Sequence, residues 1–407
     1  MLGNCIIRNP RAADGTLDRG VICESLLFFA KTHLVIDFNT LALVIKGGFL
    51  DDLIEMLKRG YLTANYSPEM CGLHTDTRVR PTEHIFIIFK ITGHQKTGTF
   101  KRNVEILEYE LEHILRDKAK ARFYHRELSK LVSFEDFADD TISEIAREDI
   151  RNPVFARQLA EMTLRNKRIP QDAIQFRFIE AYKMTGNKFA INTDINFDAL
   201  RRYLPEPDRA AFGKADLFAG LLDGRLDVHL AAKFNSALVG NESNQTIVEM
   251  ILKRSVGRKF DAHAFERAIY DFISVDTPRV REIINSNGRT PREFMSLLDS
   301  ADVFRKWLGT QNPEADLIRE MLREKTNVGW LESIPVKALR FGIFTGLGML
   351  GDVVAPGTSV ALGGFDALVV DKLANRWRPH YFVEHNLKGF LDIESPPSGT
   401  SAFTGQS

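Results

Sequence analysis

The spacing of apolar residues changes along the chain and predicts its elements. From Asn4 to about Thr99 the pattern is mixed. Apolar β-branched runs at Cys5 to Arg8 and His33 to Phe38 read as strands, and His84 to Ile91 as a stronger one, because aromatic and β-branched side chains suit a pleated surface. Asn39 to Val44 and Leu50 to Leu57 carry helical spacing, with Asn39 placed as a cap and Gly60 just past the second helix. From Asn103 to Asn166 the reading is helical: Val104, Leu107, Leu111, Ile114 and Leu115 recur three and four apart, with glutamates between them. Thr141 to Glu144 has the form of a capping box, and Asn152 with Pro153 places a cap beside a first-turn proline. At Gln175 to Asp194 two strand-like runs flank Met184 to Asn187, a turn rich in residues that tolerate positive φ, so a β-hairpin is expected to pair with the N-terminal strands. After Phe197 every segment reads as helix, including Leu226 to Leu238. Thr290 to Glu293 is a capping box, and Thr277-Pro278 and Asn312-Pro313 repeat the cap-plus-proline device.

The most apolar stretch is Phe341 to Val370. Its only charges are Asp352 and Asp366, and basic residues close both ends. Pro356 and Gly357 interrupt it and Thr358 and Ser359 can cap a new helix, so it predicts a helical hairpin. Each charge-free run is shorter than the roughly 20 residues of an ordinary membrane span. Gly342 and Gly346 have the spacing that lets helix backbones approach closely. An apolar hairpin of this kind suits a buried core or a bilayer. Its contact residues toward a membrane or partner are Phe341, Phe344, Leu347 and Leu350, with Trp377, Arg378 and Tyr381 as an amphipathic collar beyond it.

The predicted fold class is therefore α+β and predominantly helical. A small mixed N-terminal sheet (1–100) is joined by the later hairpin within 101–196. A helical body follows (197–330), then the glycine-rich hairpin and a closing helix (331–393). The tail 394–407 is too polar and Pro/Gly/Ser-rich to pack.

Charge narrows the functions. Fifty-four basic residues balance 54 acidic ones in 407 residues, so no global field recruits nucleic acid or an anionic membrane. A local patch remains: Lys118, Lys120, Arg122, Arg126 and Lys130 interleave with Phe123 and Tyr124, a composition that can follow a phosphate backbone. The three cysteines, Cys5, Cys23 and Cys71, are odd in number and far apart, which argues against a disulfide framework and suits a reducing cytosol. The opening MLGNCIIRNPRAADG lacks the apolar core of a signal peptide.

Catalytic spacings fail one by one. Gly357-Thr-Ser359-Val-Ala361 misses the last glycine of a nucleophile elbow. His380, Glu384 and His385 cannot all share one helix face. Asp172, Glu180 and Lys183 miss a nuclease arrangement, because residues three apart point to opposite faces of a strand. Asp194, Asn196 and Asp198 open like a calcium loop but Ala199 stands where its glycine belongs; Asn196 is the expected cap of a helix. No catalytic residue, metal site or cofactor is implied. The leading expectation is a non-enzymatic cytoplasmic interaction or effector protein, with a protein partner, self-association or a peripheral membrane as its target. A nucleic-acid-binding protein using 116–130 is the alternative, and a hydrolase whose residues converge only in space is a third reading.

Overall fold

The computed structural model describes residues 2–251 with short breaks, Arg254, residues 278–310, Leu387 and Phe390. Its strands in chain order are β1 (Leu2–Arg8), β2 (Phe29–Ile36), β3 (Leu62–Tyr66), β4 (Met70–Asp76), β5 (Glu83–Phe89), the short pair β6 (Gly93–His94) and β7 (Gly98–Thr99), β8 (Val132–Phe134), β9 (Ile179–Lys183), β10 (Phe189–Thr193) and β11 (Ala237–Val239). The main helices are α1 (Arg19–Phe28), α2 (Phe38–Lys46), α3 (Leu50–Lys58), α4 (Asn103–Leu115), α5 (Lys118–Leu128), α6 (Asp140–Ile150), α7 (Pro153–Asn166), the short α8 (Phe197–Arg201) and α9 (Asp208–Ala211), α10 (Leu221–Lys233), α11 (Pro278–Asn285) and α12 (Pro291–Thr310).

The spine is a five-stranded, all-parallel sheet in the order β11-β1-β2-β3-β8. A second, antiparallel sheet runs β4-β5-β10-β9. The chain is thus mixed α/β with two sheets, rather than one small mixed sheet at the N-terminus. The expected hairpin forms as β9 and β10, and joins the N-terminal part of the chain through β5, Phe189 opposite His84. Gly186 at its turn has φ +67°.

Alternation along the parallel strands sorts their side chains into two cores. Cys5, Ile7, Leu34, Ile36, Leu62, Ala64, Tyr66 and Val132 point to one face, where residues of α1 to α5, α11 and α12 cover them. Ile6, Val35 and Leu238 point to the other, under α6, α7, α10 and the antiparallel sheet. The strands β1, β2, β3 and β8 follow one another in a single direction across the sheet. The chain then returns past β1 to add β11 on its far side. The direction of winding therefore reverses at β1, and the carboxyl ends of β1 and β11 form a topological switch point.

Several local expectations are corrected. Strands β3 and β8 lie in stretches with no strand reading, and β11 replaces the end of the helix expected through Leu238. Runs of three to five residues are too short to show a period. Helix α2 is capped by Asp37, whose Oδ1 accepts from the Thr40 amide at 2.7 Å, and Asn39 lies inside it. Thr141 lies within α6 rather than before it. The caps at Asn152, Asn196 and Thr290 form as expected. The cap residues Thr277 and Asn312, the segment 341–370 and the tail lie outside the described residues.

The helical layer is pinned at Asp18, the cap of α1. Its Oδ1 accepts from the Val21 amide (2.9 Å) and from Asn285 Nδ2 (2.8 Å), and its Oδ2 from Arg281 Nε (2.7 Å). Gly20 donates its amide to Asn285 Oδ1 at 2.9 Å, and a Cβ at Gly20 would run into the backbone of Arg281. Gly20→Ala is therefore expected to push α11 off α1 and cost about 1–3 kcal/mol of stability, read as a lowered urea midpoint.

Candidate functional site

Strand β1 ends in Arg8, a 4 % exposed arginine at the switch point. It is charged in any accessible pH range and so must be paired where it is buried. Helix α10 supplies two partners one turn apart on one face, Asp223 and Asp227. The tip of β2 supplies the third, Asp37. Arg8 Nε donates to Asp227 Oδ1 at 2.9 Å, and Nη1 donates to Asp223 Oδ1 at 3.0 Å and to Asp37 Oδ2 at 3.4 Å; Nη2 also donates to Asp223. The second oxygen of Asp227 takes Asn244 Nδ2 at 3.2 Å, just beyond β11.

Three carboxylates thus face one guanidinium in a water-poor niche. Burial pushes the Asp227 carboxyl up to about 6, against the pull of Arg8, and moves Asp223 in the same direction. Burial likewise drives the Cys71 thiol up beside them. Only Asp223 opens outward, with 35 % of its side chain exposed.

Two further groups at the same edge are unsatisfied. Asn9 follows Arg8 with φ +50°, a left-handed conformation uncommon for a residue with a side chain. Its amide donates to Thr40 Oγ1 at 3.0 Å, and its buried Oδ1 has no hydrogen-bond partner among the described residues. At the tip of β3, on the opposite face of the sheet, the Tyr66 hydroxyl donates to Glu110 Oε2 at 2.7 Å. Glu110 Oε1 has no hydrogen-bond partner among the described residues, and burial pushes this carboxyl up to about 8. Asp227 and Glu110 are therefore carboxyls whose titration lies near neutrality, the property that lets a group give or take a proton.

The sequence-derived basic residues lie elsewhere. Lys118 and Lys120 occupy the first turn of α5, whose cap is Asp117. Arg122 Nε stands 4.0 Å from Glu108, while Arg126 and Lys130 lie 4.0 and 3.6 Å from Glu127. Carboxylates thus stand against three of the five cations. Glu180 and Lys183 are exposed on β9 and do not join the carboxyl-end group. Phe341, Phe344, Leu347, Leu350, Trp377, Arg378 and Tyr381, and the set His380, Glu384 and His385, lie outside the described residues. Among the described residues no group of three or more His, Cys, Asp or Glu can hold a metal ion, and no helix is long and apolar enough to cross a membrane.

Sequence reasoning missed Arg8, Asp37, Tyr66, Glu110, Asp223 and Asp227. The available signals were a charge closing an apolar strand run (Ile6-Ile7-Arg8, Val35-Ile36-Asp37) and the one-turn spacing of Asp223 and Asp227. No family model, curated protein or solved structure matches this chain.

Arg8→Ala leaves the buried Asp37 and Asp227 and the half-buried Asp223 without their counter-charge and is expected to cost about 3–5 kcal/mol in urea unfolding. Adding Asp223→Asn and Asp227→Asn recovers part of that loss. Glu110 holds its proton more tightly folded (about 8) than at its ordinary 4.5, so its contribution is complete below that ordinary value and is lost as pH rises through about 8. Glu110→Gln should therefore be flat across this window. Its lead over the wild type should grow to an order of a few kcal/mol by alkaline pH, measured as unfolding free energy against pH.

Proposed function

We propose that the protein is a regulatory or effector protein whose α/β body senses a small polar ligand at the carboxyl ends of its parallel strands and controls the apolar segment 341–370. That segment is the part that acts on a membrane or a protein partner. The observation that carries this reading is the mooring of the chain on both sides of residues 311–386. Before them, α12 buries Phe294, Met295, Leu298 and Ala301 in the core under the parallel sheet. After them, Leu387 and Phe390 are buried in that same core. The rings of Phe294 and Phe390 meet edge to face at 6.0 Å, and Arg289 Nε donates to the Phe390 carbonyl at 3.0 Å.

An apolar stretch tethered at both ends to a folded body can be held or released without detaching from it. The niche around Arg8 supports the sensing half of the reading, since ligands of open parallel sheets enter at such switch points. Its carboxylates favour a ligand that donates hydrogen bonds.

The test is flotation and dye release with vesicles of mixed neutral and anionic phospholipid. Wild type is compared with the Gly346→Asp, Leu347→Asp double variant, and circular dichroism and gel filtration check the folding of both. The expected result is that wild type floats and releases dye while the folded variant stays in solution. Equal behaviour of the two proteins, bound or unbound, would sink the membrane reading.

A further inference from the structure

The second face of the parallel sheet carries a constellation apart from the carboxyl-end niche. His33 lies on the central strand β2, directly opposite Thr63 of β3, and Asn65 follows two residues later on the same face. His33 Nδ1 is 2.7 Å from Thr63 Oγ1, and His33 Nε2 is 2.8 Å from Asn65 Oδ1. An amide oxygen only accepts, so Nε2 carries the ring proton and Nδ1 accepts the Thr63 hydroxyl proton. The result is a hydroxyl, an imidazole and an orienting carboxamide in a continuous hydrogen-bonded row, the arrangement that activates a hydroxyl nucleophile.

Three observations set this row apart from an ordinary polar ladder. The hydroxyl is at the surface: Thr63 is exposed, and so are Asn4, Lys31 and Ser133, which share its face. The orienting group is fully buried, and its Nδ2 has no hydrogen-bond partner among the described residues. An apolar side chain at the site would avoid the cost of leaving a buried amide unpaired. The imidazole is clamped, stacked on Phe234 with ring centroids 4.6 Å apart, and Phe137 meets Phe234 edge to face at 5.7 Å. Burial keeps His33 neutral below its ordinary range, the state a general base needs. The charged groups around it are Lys31 on its own strand, Glu135 beyond β8, and Lys233 of α10, whose Nζ lies 3.4 Å from Glu135 Oε2.

We propose that Thr63, His33 and Asn65 form an acyl-transfer site for activated esters or thioesters. In the first step the Thr63 Oγ bonds to the acyl carbon while its proton passes to His33 Nδ1. The bond from that carbon to the alkoxide or thiolate breaks, and the leaving group takes the proton from Nδ1. Water then attacks the acyl carbon, gives its proton to Nδ1, and releases the acid as Thr63 recovers its proton. Thr63 and His33 are the catalytic residues; Asn65 is a positioning residue that fixes the tautomer.

The experiment uses the full chain with 4-nitrophenyl acetate, following nitrophenolate release and mapping the acetyl group by peptide mass spectrometry. Acetyl on Thr63 is expected, with release reduced about 100-fold in Thr63→Ala and in His33→Gln and retained in Thr63→Ser. Asn65→Asp should shift the acid limb of the pH–rate profile to higher pH, an effect that a purely structural Asn65 would not produce. Thr63 is exposed, so its alanine variant keeps the fold. Acetyl groups confined to lysines, or an unchanged rate in folded Thr63→Ala, would overturn the proposal.

Discussion

A guanidinium buried at the tip of β1 cannot shed its charge, and this constraint shapes everything around Arg8. It must be met by carboxylates, and they must come from elements that otherwise have no reason to meet. Asp37 is already committed to capping α2, so pairing it with Arg8 fixes the start of that helix relative to β1. Asp223 and Asp227 come from α10, on the far side of the sheet from α2, and their one-turn spacing sets which face of α10 turns inward. One arginine therefore joins the two layers that cover the sheet. Replacing the whole group by apolar residues would pack such a junction more cheaply. Keeping three acids around one base leaves two carboxyls with raised proton affinity at the switch point, which is the chemical reason to look there for a ligand.

From Arg8 a short covalent route leads to the other end of the described chain. Asn9 turns the backbone through a left-handed conformation, and the loop closes on itself through the Arg11 and Leu17 bridge. Ten residues after Arg8 the chain reaches Asp18, where α1 begins and where Arg281 and Asn285 of α11 are held. Helix α12 follows α11, and Phe294 of α12 meets Phe390. The carboxyl-end niche and the mooring of residues 311–386 thus share one contiguous set of contacts. A rearrangement at Asn9 would act on the loop that carries Asp18, and through it on α11 and α12.

What the sequence made legible was local. Caps at Asn152, Asn196 and Thr290 could be read because each depends on a side chain and an amide three residues away. The β9 and β10 hairpin could be read because its turn and its pairing are sequence neighbours. The parallel sheet could not. Its strands β3, β8 and β11 are three to five residues long and pair with partners tens to hundreds of residues away, so neither their own period nor a neighbouring turn marks them. Arg8, Asp37 and Asp227 carry their meaning only when those strands are in register, so the niche stayed hidden for the same reason.

The His33 row illustrates the same limit from the other side. A nucleophile elbow presumes a strand-to-helix turn, and a row built across two strands has no such spacing to read along the chain. Thr63 and Asn65 are two residues apart on β3, yet His33 is thirty residues from Thr63 and meets it only through the β2 and β3 register. A parallel pair places equivalent side chains of neighbouring strands side by side on one face. The β2 and β3 register thus brings three polar residues into one row that their order along the chain does not show. Helix α10 covers the carboxyl half of this face through Asp223 and Asp227 and ends with Phe234 against His33. The amino half stays open above Thr63. The charge that Arg8 imposes on α10 thus also sets where the covered part of the sheet stops and the exposed hydroxyl begins.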